Sequence, residues 1–160
     1  WSNSREVPDE LLWKDVPADR VGDLEYVLDL LDWGLNVDTD FVAHRQLIPH
    51  ETAESAAEAS PGWTENWIVY RSPSFSAKEL TVRPGHSVTV TDTDAYGVAV
   101  IQGYGMFGRH AAASPTLIRF GELTDDEFFV SEQAARAGVR ITNLSATEPL
   151  VILKHFGPRT

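Results

Sequence analysis

The 160-residue sequence contains no cysteine. Disulfides, thiol nucleophiles and thiolate metal sites are therefore excluded, and the absence suits a cytoplasmic protein. Basic residues are scarce, 13 Lys and Arg against 24 Asp and Glu, for a formal charge of −11 and no basic run. Nucleic acid, whose phosphates demand a basic face, is not an expected partner, and neither is a membrane. No apolar run approaches bilayer-spanning length, and no signal-peptide pattern opens the chain. Methionine occurs once, at Met106, and the first residue is Trp1. The sequence is therefore expected to be a piece of a longer protein. The GxSxG context of a serine nucleophile is missing, as is a P-loop. Gly103 to Gly108 matches the string GxGxxG, but Met106-Phe107 reads as strand, so the stretch is a hairpin turn rather than a dinucleotide site.

What is present is a β-rich chain of ordinary composition, 42% apolar and 23% charged, long enough for one cored domain with an appended segment. Its organising stretch is Lys78 to Gly108. Arg83-Pro84-Gly85 places Pro and Gly where a β-turn needs them. Val88 and Val90 alternate with Thr89 and Thr91, the period of a half-buried strand. Asp92-Thr93-Asp94 is a polar break, Tyr96 to Ile101 is apolar on both faces, and Gln102-Gly103-Tyr104-Gly105 turns the chain again. Further strands are expected at 67–70, 75–82, 116–120, 127–130, 139–142 and 150–156, with a helical turn or loop at 131–137. At least eight short strands at this spacing predict a mainly β jelly roll or sandwich. Val151-Ile152-Leu153 has no obvious solvent face, so such strands need a cover: an N-terminal helix, a second domain or another subunit.

Residues 1–62 read as an N-terminal helical arm and linker, and 63–160 as the β domain. Pro8 to Trp13 opens a short helix that Pro17 stops. Asp23 to Trp33 carries Leu24, Val27, Leu28 and Leu31 on one stripe, with Asp23 capping its start and Gly34 its end. The stripe is expected to pack on the barrel's outside or on an absent partner domain. Asp38 and Asp40 read as a turn or helix cap. Glu51 to Gly62 reads as a mobile connector.

Pro84-Gly85, the two strands after it and the closing Val100-Ile101-Gln102-Gly103-Tyr104-Gly105 resemble the first conserved motif of the cupin superfamily. Gly138 to Asn143 resembles the second. The segments 75–82, 114–130 and 148–158 are similar to the C-terminal cupin half of bacterial two-cupin, sugar-phosphate (mannose-6-phosphate) isomerase-like proteins. The resemblance implies a cupin-type jelly-roll barrel with an N-terminal helical arm, paired with a second cupin domain or a homo-oligomer partner. It also implies where a cupin metal would bind. The motif's Glu position falls on Tyr96, and its two His positions fall near Val90 and Asp92, or Thr91 and Thr93 or Asp94 if the register shifts. The second motif's His falls on Val139. One carboxylate and one phenol do not make an ordinary divalent site, so no metal and no cofactor is expected.

The leading expectation is a metal-free domain with a structural or assembly role, or one binding a small polar, carbohydrate-like ligand. Asp92 and Tyr96 would supply an acceptor and a hydroxyl, with Gln102 and His155 at the pocket's edges. The alternative is half of a metal-dependent sugar or sugar-phosphate isomerase whose active site lies in a missing partner. The remaining histidines, His44, His50, His86 and His110, have no ligand spacing. Of Lys78-Glu79, a surface or interface ion pair is the expectation, and a charge inside the barrel the alternative. Asp125-Asp126-Glu127 reads as a solvated turn.

Overall fold

The computed structural model describes residues 8–57, 62–115 and 121–158. The chain divides into two compact units, Trp1–Gln46 and Leu47–Thr160. The division falls well before residue 62, for a reason that lies in the second unit.

The first unit is built of short helices: α1 (Asp9–Leu12), a 3-10 turn (Ala18–Arg20), α2 (Leu24–Asp29), α3 (Trp33–Asn36) and α4 (Phe41–Arg45). Pro8 stands at the start of α1, and the Asp23 carboxylate accepts from the Tyr26 amide to cap α2. The expected single helix to Trp33 breaks at Leu30. There the Asp32 side chain accepts from the Leu35 amide and starts α3, so Gly34 lies inside a helix instead of ending one. Asp38 accepts from the Asp40 amide, from Arg45 and from His44, which makes it the pin of this corner and not a cation site. None of these helices contains a buried residue.

The second unit contains β1 (His50–Glu51), α5 (Ala53–Ala57), β2 (Trp63–Val69), β3 (Ser76–Val82), β4 (Ser87–Val90) and β5 (Tyr96–Gln102). These are followed by β6 (Tyr104–Phe107), β7 (His110–Ala113), β8 (Glu127–Val130), α6 (Glu132–Ala137), β9 (Val139–Asn143) and β10 (Leu150–Phe156). The strand expected at 116–120 lies outside the described residues. Two antiparallel sheets result, one of six strands in the order β1-β2-β3-β10-β5-β8 and one of four in the order β4-β9-β6-β7. This is a mainly β jelly roll. Its core centres on Leu80, Val82, Val100, Ile141, Leu150 and Ile152, each at most 2% exposed.

Tight turns set the register. Gly85 and Gly103 take φ of +70° and +78°, a region that L side chains avoid. At Gly103 a Cβ would also fall 2.4 Å from the Pro149 carbonyl oxygen. Residues 51–57, expected to be a mobile connector, are instead fixed to the barrel. Thr52 and Ser55 are buried, the Thr52 amide donates to the Glu65 carbonyl, and the Ser55 hydroxyl accepts from the Glu65 amide. β1 then pairs with β2. These bonds carry the second unit back to Leu47, and they hold the backbone of Glu65, the first residue of the site.

Candidate functional site

Strand alternation sends side chains of β2, β3, β5 and β10 into one end of the barrel. Glu65 follows buried Trp63 by two residues, Lys78 precedes Leu80 by two, and Lys154 lies between Ile152 and Phe156 on the inner face of β10. Asp92 joins them from just beyond β4, its amide bonded to the Ala135 carbonyl of α6. All four charged side chains are buried, Lys154 completely.

They form a closed ring of alternating sign. Lys78 Nζ lies 2.7 Å from Asp92 Oδ1 and 3.2 Å from Glu65 Oε2. Lys154 Nζ lies 2.6 Å from Asp92 Oδ2 and 2.5 Å from Glu65 Oε1. Each carboxylate thus offers one oxygen to each ammonium. The Lys154–Glu65 edge is an ion pair without hydrogen-bond alignment, and Glu65 Oε1 has no hydrogen-bond partner among the described residues. Isolated buried charges of this kind would be prohibitive, and a ring of zero net charge removes most of that cost.

Aromatic rings enclose the ammonium groups. Lys78 Nζ is 4.7 Å from the Trp67 ring centroid and 5.5 Å from that of Phe156. Lys154 Nζ is 5.2 Å from Tyr96 and 6.0 Å from Phe156. These are cation–π distances. The Tyr96 hydroxyl is buried beside the ring and makes no hydrogen bond among the described residues.

This environment holds protons. Burial pulls the Lys78 ammonium towards losing its proton, but the Glu65 and Asp92 carboxylates outweigh it and the pKa is raised. For the Tyr96 phenol, burial acts first, and Asp92 and Glu65 add to it, so its pKa is also raised. Both groups bind protons more tightly folded than unfolded. Their contribution to stability is therefore complete below the ordinary values of 10.0 and 10.5 and is lost as pH rises through the elevated ones. Denaturant titrations should show stability falling steadily above about pH 10, with Lys78→Met combined with Tyr96→Phe flattening that fall. A flat alkaline limb in the unsubstituted protein would contradict the proton-holding role.

Beside the ring is a cleft of about 460 Å³, lined by Trp67, Ser76, Asp92, Thr93, Asp94, Ala95, Phe156, Gly157 and Pro158. Asp92 therefore faces both ring and cleft, but both its oxygens are held by lysines. The carboxylate open to a ligand is Asp94, whose Oδ2 accepts from Thr93 Oγ1 at 2.7 Å. Tyr96 reaches the ring but is not among the cleft-lining residues.

The other two expected pocket residues lie elsewhere. Val151 pairs with Gln102 and Ile152 with Val100, so Ile101 is an extra residue on β5. Such a bulge breaks alternation, and Gln102 is exposed. His155 has the parity of Leu153 and is exposed on the outer face, its imidazole lying over Gly97. Lys78, expected in a surface or interface pair, is inside the barrel. Glu65 and Lys154 were not anticipated at all. Their signal was present in the sequence, since each stands two residues from large apolar side chains of the same strand face.

The ring does not fit a metal ion. Its two carboxylates are already paired to ammonium groups, which would repel a cation. No cluster of three or more His, Asp or Glu side chains among the described residues is placed to hold one. Also among these residues, no helix is long and apolar enough to cross a membrane.

No family model matches the sequence, and no curated protein does. Solved structures do match. A chain of the Rhodobacter sphaeroides SigE complex with the anti-sigma ChrR is 10% identical, with 61% of this chain and 45% of that one covered at a TM-score of 0.45. An RmlC-like cupin protein of Ralstonia eutropha is 13% identical, with 69% and 64% covered at 0.43. A cupin 2 domain-containing protein of Halorhodospira halophila is 21% identical, with 62% and 67% covered at 0.43. This chain thus spans from under half to about two thirds of the length of those structures. The likeness is one of fold, to the two-sheet jelly roll of cupin-domain proteins.

Proposed function

We propose that the barrel binds a small, polar, carbohydrate-like ligand in the cleft beside the charge ring, without a metal. The lining carries this reading. Aromatic Trp67 and Phe156 stand with the hydroxyls of Ser76 and Thr93 and the carboxylate of Asp94 around one opening. Its volume falls within the roughly 300–1,000 Å³ of small-molecule sites. A sugar presents an apolar C–H face and a rim of hydroxyls, and this wall offers a partner for each. The ring beneath is saturated with its own contacts. Its role in this reading is to fix Trp67 and Phe156 from the inside through the ammonium of Lys78, so that the aromatic wall is preorganised.

The test is an NMR titration of the full chain with neutral monosaccharides and polyols, following the Trp67 indole N–H. Binding should move that signal saturably, and Trp67→Ala, whose affinity is read by calorimetry, should bind at least about fivefold more weakly, as expected for losing a stacking contact of around 1 kcal/mol. If none of these compounds moves it, or if the shifts map to other tryptophans, the cleft is not a sugar site.

A further inference from the structure

We infer that the ligand of this cleft carries a positive charge: an amino sugar or amine-bearing polyol, in preference to a neutral sugar or a sugar phosphate. The inference rests on the carbohydrate-like reading above and adds the sign of the charge. Glu65 and Asp92 are balanced by Lys78 and Lys154 within the ring. That leaves Asp94 as the uncompensated charge among the described lining residues. It is exposed, and its one hydrogen bond among the described residues comes from a neutral hydroxyl. No Lys, Arg or His is among the described lining residues, so among those residues a phosphate would meet a carboxylate and no cation.

The aromatic wall favours the same sign. The π faces of Trp67 and Phe156 already lie within cation–π reach of one ammonium group, at 4.7 and 5.5 Å. Aromatic faces of this kind attract cations and not anions. The chain's overall charge of −11 adds a field of the same sign. An amine in this cleft would gain a charge-assisted hydrogen bond to Asp94 together with aromatic faces. A neutral hydroxyl in the same place would gain only an ordinary hydrogen bond.

The experiment titrates the full chain at mildly acidic pH with glucosamine, N-acetylglucosamine and glucose 6-phosphate, again following the Trp67 indole signal. Glucosamine should bind about tenfold more tightly than its neutral N-acetyl form, the expected gain of a charge-assisted bond. Added salt should reduce that margin, Asp94→Asn should erase it, and glucose 6-phosphate should bind more weakly than either. Equal affinity for the two amino-sugar forms would overturn the charge inference and leave the neutral-sugar reading standing. Tighter binding of the phosphate would overturn it as well. No response to any of the three would remove both readings.

Discussion

Lys154→Met should destabilise the barrel by about 3–5 kcal/mol, the cost of breaking a buried ion pair by removing one partner. Lys154 is fully buried and contacts both carboxylates of the ring. Methionine fills much of the same volume, so little of the loss is cavity. What remains is Glu65 and Asp92 facing a single ammonium, an uncompensated and largely buried negative charge. Chemical denaturation measures the cost. Pairing the substitution with Glu65→Gln tests its origin, because that double variant keeps the 2.7 Å Lys78–Asp92 bond and restores neutrality. Its cost should be well below the sum of the two single costs. Strict additivity, or a single-variant loss under about 1 kcal/mol, would show that the ring does not act as a unit.

Asn143→Ala should cost about 2–4 kcal/mol by a different route. The Asn143 amide donates to the Val82 and Glu148 carbonyls at 2.9 and 2.8 Å, and its carbonyl accepts from the Ser145 amide at 2.9 Å. The residue is 1% exposed. One side chain thus ties the β9–β10 turn to the end of β3 and satisfies three backbone groups that alanine would leave unmet. Denaturation midpoints and hydrogen exchange at Ser145 read the effect directly. Asn143→Asp should be as damaging, since a carboxylate cannot donate to either carbonyl. A loss under 0.5 kcal/mol would mean that water replaces the amide without penalty.

The sequence exposed the scaffold because local rules wrote it. Alternation of Val88 and Val90 with threonines, the Pro84-Gly85 turn and the Gly103-Tyr104-Gly105 corner each need only neighbouring residues to be read, and the strands occur where these signals lie. Asn143 was visible as a motif position, although its hydrogen bonds were not. The site obeys a different rule. Burying Lys78 is unreasonable for any reading confined to β3, where the charge argues for solvent. It becomes reasonable only when Asp92, fourteen residues on, and the Lys154 that shares it, sixty-two residues beyond Asp92, arrive at the same point. Leu80 and Val82 did indicate that the Lys78 face points inward, but a single charge outweighed them. Gln102 failed for a geometric reason, because one extra residue at Ile101 reverses every later orientation on the strand. The short helix at 53–57 was hidden by its Ala, Glu and Ser composition, which suits a linker as well as a helix. Its fixed position depends on Glu65, a contact made across ten residues.

The order of strands in the larger sheet has a consequence for how the chain is made. β10 lies between β3 and β5, yet it is translated after both, and β9 likewise fills the middle of the smaller sheet after β4 and β6 have emerged. Until residues 150–156 leave the ribosome, β3 and β5 have no common neighbour, and each presents an unpaired edge. The ring is unfinished over the same interval, with two carboxylates waiting beside one ammonium. A nascent chain at that stage has neither a closed sheet nor a neutral interior. β10 therefore completes the hydrogen bonding and the charge balance in a single insertion, and until then the half-made barrel carries the exposed edges that favour wrong pairing.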